Sequence, residues 1–125
     1  MERTSIGKSF KNLIVWQRAG ELTTLVYQAT SNFPDSEKFG LTNQLRRAAV
    51  SIVSNISEGY ARSTRGEFIL LLGYARGSCA EVEAQLSLAS KLGFASENNI
   101  EKIEAVCSEV GRMLNAMMKT LKERN

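Results

Sequence analysis

The sequence contains no histidine. That removes the usual general base of serine and cysteine triads, the commonest zinc ligand and the side chain that changes charge near neutral pH. It also removes the Glu-x-x-His motifs from which a di-iron bundle is built. Only two cysteines occur, Cys79 and Cys107. Both fall on apolar helical stripes and read as reduced core thiols of a cytoplasmic protein; a disulfide would require their two helices to meet at that level. One proline and nine glycines in 125 residues leave little material for long loops. No apolar run approaches the ~20 residues of a membrane span, and the N-terminal MERTSIGKSF lacks the apolar core of a secretory signal. Glu81 and Glu83, two residues apart on a helical pattern, point in different directions and make a poor acid–base pair. No catalytic residue, metal or cofactor is expected, and the chain reads as a non-enzyme.

What the sequence does have is helical periodicity. Val15, Ala19, Leu22, Val26, Ala29 and Phe33 recur at steps of three and four until Pro34 forces the preceding residue out of the helical region. Leu41, Leu45, Ala48 or Ala49, Ile52, Ile56 and Gly59 mark a second segment. Thr64-Arg65-Gly66-Glu67 reads as a capping box opening a third, which Phe68, Leu72, Ala75, Cys79, Val82, Leu86 and Ala89 continue and Gly93 ends. Ser96 is placed to cap a fourth carrying Ile103, Cys107, Val110, Leu114, Met117 and Leu121. No segment shows the alternation of a strand. Four long periodic segments with short connections predict an all-α, antiparallel up-down-up-down four-helix bundle. Residues 1–11 read as a polar tail with Phe10 as its anchor, and residues 12–125 as one domain.

The net charge of +3 is unevenly distributed. Residues 1–76 carry +4, residues 77–111 carry −4 and residues 112–125 carry +3. Segregated positive charge suits a polyanion, although a solvated face with some asymmetry gives the same count. Candidate phosphate contacts are Arg46, Arg47, Arg62, Arg65 and Arg76, since a guanidinium fork matches phosphate oxygens.

Two helical faces are unusually small and uncharged. From Ala48 to Ser57 the second segment carries no charge, and Val50, Val53, Ser54 and Ser57 project away from its core stripe. On the third segment Leu70, Gly73 and Gly77 line up opposite the core stripe, after Gly66. A glycine inside a helix costs about 0.5–1 kcal/mol relative to alanine, so close approach by another helix is expected in compensation. That helix belongs either to the same bundle or to a second copy; the smallness of both faces predicts a homo-oligomer. Ser51, Asn55 and Glu58 form a polar band beside the core stripe, either a structural network fixing register or the flank of a phosphate surface.

The blocks LIVWQRAGEL (13–22), FGLTNQLRRAAVSIVSNISEGYAR (39–62) and GEFILLLGYARGSCAEVEAQLSLASKLGF (66–94) resemble the four-helix-bundle proteins encoded in intervening sequences of bacterial 23S ribosomal RNA genes. They are similar, more remotely, to the accessory variability determinant of diversity-generating retroelements. This resemblance implies a homopentameric barrel without established enzymatic activity and a nucleic-acid or ribonucleoprotein role. In the retroelement branch it implies a polymerase partner, so a scaffold that recruits another protein is the alternative to RNA or DNA binding. Val53 stands where that family often has proline, and Ser57 where alanine is usual.

Overall fold

A computed structural model describes residues 9–124. Four helices follow one another: α1 (Ile14–Thr30), α2 (Leu41–Ala61), α3 (Arg65–Lys91) and α4 (Glu97–Glu123). Each packs on its sequence neighbours and α4 closes on α1, with no diagonal helix pair in contact among the described residues. This is the up-down-up-down, all-α bundle that the periodicity predicts.

The predicted stripes form the core. Leu22, Val26, Leu45, Ile52, Ile56, Leu72, Val82, Leu86, Val110 and Leu114 are fully buried, together with both cysteines. Burying a leucine, isoleucine or valine side chain stabilises by about 1.5–3 kcal/mol, so the core is the principal force holding the four helices together. Gly59 of α2 lies in this layer as well, against Phe68 and Leu71 of α3.

Helix ends follow local chemistry. The Thr64 hydroxyl accepts from the Glu67 amide at 3.1 Å and Ser96 accepts from Asn99 at 3.2 Å. At α2 the cap comes from Glu37, whose carboxylate accepts from the Leu41 amide at 3.0 Å. Gly93, at φ 75°, turns the chain between α3 and α4. Although Phe33 continues the α1 spacing, α1 ends at Thr30; Phe33 is buried from the turn instead, tilted against Phe94 at 5.6 Å. Pro34 accounts for the difference. Short 3-10 turns at Phe10–Asn12 and Asp35–Glu37 complete the elements. Phe10 meets Trp16 edge-on at 5.2 Å, which gives the predicted anchor a contact, and the tail before Ser9 lies outside the described residues.

The α1–α4 seam carries an ionic cluster in which Arg18 bonds both Glu109 and Glu21. The hydrogen bond from Arg18 holds the Glu109 carboxyl below the usual 4.5. A carboxyl depressed in this way contributes stability while ionised, and that contribution is lost as pH falls from 4.5 through the lower folded value. Glu109→Gln should therefore flatten the acid limb of a stability–pH profile measured by denaturant melts, leaving the profile near neutrality parallel to that of the unmodified protein.

Candidate nucleic-acid and assembly surfaces

Alternating helix direction places the α2–α3 link and the C-terminus of α4 at the same end of the bundle. Arg62, Arg65 and Arg124 line one open cleft there, about 300 Å³ in volume, with Ser63, Thr64, Phe68 and Leu121. All three arginines are exposed. Arg65 donates to the carbonyl oxygen of Leu121 at 3.3 Å and to that of Arg124, neutralising the negative end of α4. Arg62 bonds Glu58 one turn back, which raises its already high pKa. A guanidinium carries five N–H donors, so these contacts leave donors free for an incoming oxygen anion.

The other sequence-predicted arginines lie elsewhere. Arg46 is committed to α1: its Nε donates to Thr30 Oγ1 at 2.7 Å, a second nitrogen reaches the Tyr27 carbonyl at 3.3 Å, and its guanidinium lies 4.5 Å from the centre of the Tyr27 ring. Arg76 packs its guanidinium over Gly111 of α4. Arg47 is exposed beside Gln44, Ser51, Glu81 and Gln85 in a shallow depression between α2 and α3. Of the five candidates, then, the structure gathers only Arg62 and Arg65. Arg124 joins them through topology, a signal available from the up-down-up-down reading and the positive charge of residues 112–125.

The polar band divides in two. Asn55 donates to the Ser51 hydroxyl at 3.0 Å and to its carbonyl at 2.9 Å, and the Ser78 hydroxyl of α3 reaches Ser51 at 2.9 Å. This cross-helix network includes Ser51 and Asn55, whereas Glu58 points to the surface and pairs with Arg62.

The small faces divide likewise. Val50 and Ser54 are exposed, but Val53 packs against the core and Ser57 accepts a hydrogen bond from the Trp16 indole at 2.9 Å. At ~100° per residue, 53 and 57 lie on the flank that α1 covers, so the outward orientation read for them is corrected. Gly73 is half-buried, with Met118 nearby, while Gly77 faces open space. The α3 face proves larger than the glycines suggested. Gly66, Leu70, Tyr74, Gly77, Glu81, Ala84 and Leu88 form an exposed stripe at steps of three and four, with Glu81 its one charged member. Leu70 and Tyr74 are 54% and 55% exposed. Tyr74 and Leu88 were legible from spacing alone, four residues after Leu70 and four after Ala84.

No helix among the described residues is long and apolar enough to cross a membrane, and no group of three or more His, Cys, Asp or Glu is placed to hold a metal ion among them. The family model of the 23S rRNA-intervening sequence protein matches residues 11–116. The crystal structure of a protein of unknown function from the S23 ribosomal protein family of Bacteroides thetaiotaomicron shares the fold, with a TM-score of 0.77 and 24% identity over 85% of this chain and 99% of that one. None of the curated proteins compared with the chain matches it. The fold and the span of the match agree: the chain belongs to the 23S rRNA-intervening sequence protein family.

Proposed function

We propose that this protein is a non-catalytic bundle that assembles with copies of itself and holds the phosphate backbone of RNA or DNA at its basic end. The observation that carries this reading is the convergence of Arg62, Arg65 and Arg124 on one open cleft. Lys11, Lys119 and Lys122 belong to the same end, where the opposing acids are Glu58, Glu67 and Glu123. Contacts of this kind neutralise phosphates without reading base sequence. The family takes its name from a ribosomal RNA insertion, which is in keeping with an RNA partner.

The α3 stripe supports the assembly part of this reading. Seven exposed positions over more than six turns, with one charge among them, suit the side of a neighbouring helix better than water. Self-association, in the five-membered ring that the family resemblance implies, would bring several weak basic clefts into one particle and multiply their affinity.

Salt titration of fluorescent RNA and duplex DNA tests the first half. With three phosphate contacts per protomer, affinity should fall by about 20- to 40-fold between 50 and 200 mM salt, alike for unrelated sequences. Absence of binding at low salt would exclude the reading. Light scattering tests the second half: the mass should be a multiple of 13.8 kDa at micromolar concentration. Leu70→Glu should reduce it to that of one protomer without altering the helical signal, because Leu70 is exposed within the protomer. The exposed α3 face also favours a second reading, in which the chain is a scaffold for another protein. A monomer that captures a protein partner unchanged by nuclease, and loses it on Leu70→Glu, would select that reading.

A further inference from the structure

The two cysteines play no part in the basic cleft or the α3 stripe. Cys79 of α3 and Cys107 of α4 are both fully buried, and both are free thiols. The helices do meet at their level: the Cys107 thiol donates to the Cys79 carbonyl oxygen at 3.4 Å. Between them the chain runs up α3, around Gly93 and back along α4. We propose that Cys79 and Cys107 are a latent redox pair, closing on exposure to a hydroperoxide into an intrachain disulfide that ties α4 to α3.

The chemistry balances with hydrogen peroxide as the two-electron oxidant. One thiolate attacks a peroxide oxygen, breaking the O–O bond to give a sulfenic acid and, with a proton, one water. The second sulfur then attacks the sulfenyl sulfur, and the departing hydroxide takes up that thiol's proton as a second water. Two thiols and one peroxide become one disulfide and two waters.

Burial sets the rate. The Cys107 thiol is hydrogen-bonded to its neighbour and removed from water, and both effects push its pKa above the usual thiol range. The same hydrogen bond draws the Cys79 thiol the other way, but both sulfurs are sealed from solvent, so oxidation proceeds through transient separation of α3 and α4 that admits the peroxide. Once formed, the bond constrains the unfolded chain over the α3–α4 hairpin and slows that same separation. It also fixes the relation between the helices whose ends supply Arg65 and Arg124.

Intact mass under denaturing conditions tests this on the full-length protein. After hydrogen peroxide the chain should be two hydrogen atoms lighter, with a Cys79–Cys107 linked peptide, full reversal by a phosphine reductant and a melting temperature raised by about 5–10 °C. Cys107→Ser should abolish the mass loss and the thermal shift together. Thiols that remain titratable in denaturant after the oxidant, mixed disulfides between chains, or sulfinic products without the linked peptide would each overturn the proposal. The mass measurement does not depend on nucleic acid, so it stands or falls separately from the function proposed above.

Discussion

Replacing Arg62, Arg65 and Arg124 together with glutamate is expected to reduce affinity for RNA and duplex DNA by at least about 100-fold at low salt. In the proposed complex each guanidinium contributes a charge-assisted contact, and each is replaced by a carboxylate that repels phosphate. The slope of log affinity against log salt should shrink by roughly two to three units per protomer, since each lost phosphate contact removes ~0.7–0.9. Stability should change little by comparison. The Arg62–Glu58 pair is exposed, and solvent screening leaves such pairs little to contribute. Arg65 also caps the carbonyls of α4, so some fraying of its last turn is expected. Arg46→Glu serves as the contrasting variant. Because Arg46 is engaged with Thr30 and Tyr27, its replacement should lower stability while leaving the salt slope unchanged. A triple variant that binds as the unmodified protein does would remove the basic cleft from consideration.

Glycine substitutions should separate the buried face of the bundle from its open one. A Cβ on Gly59 would lie 2.9 Å from Phe68 Cδ1 and 3.1 Å from Leu71 Cβ. The Phe68 ring can turn, but Leu71 Cβ is fixed to the α3 backbone, so α2 and α3 must move apart. Gly59→Val is expected to cost about 3 kcal/mol, lowering the melting temperature by roughly 10 °C. A Cβ on Gly77 meets nothing within 4 Å. Gly77→Ala should therefore stabilise the protomer by about 0.5–1 kcal/mol through helix propensity alone. If the α3 stripe is covered in an assembly, the same methyl group will weaken self-association while strengthening the protomer. Denaturant melts and light scattering on one sample resolve the two effects, and a destabilised Gly77→Ala protomer would contradict the open surroundings of that residue.

Much of the fold was readable because burial follows a simple period. From Leu41 to Gly59 the α2 stripe is buried at each position the spacing marked, and the Thr64, Ser96 and Gly93 signals act where they stand. The surfaces were less legible. A helix has two flanks beside its core stripe, and sequence alone does not say which a neighbour will cover; thus Val53 and Ser57 turn out to face α1 while Val50 and Ser54 do not. Arginines carry a further ambiguity, because the same fork that suits phosphate also suits a carbonyl or an aromatic ring. Arg46 satisfies that chemistry within the chain, while Arg76 lays its guanidinium over Gly111 of α4. Arg124 was missed for the opposite reason: its neighbours in the cleft are far away along the chain, and only the direction of the helices brings them together.

Trp16 is the protein's single tryptophan, and its indole is bonded to Ser57 of α2 and met edge-on by Phe10. Its intrinsic emission is thus a natural optical gauge located where α1 begins and α2 ends, at the end of the molecule that holds Arg62. Without any attached dye, its colour and lifetime distinguish a loosening of the α1–α2 junction from events along the middle of α3.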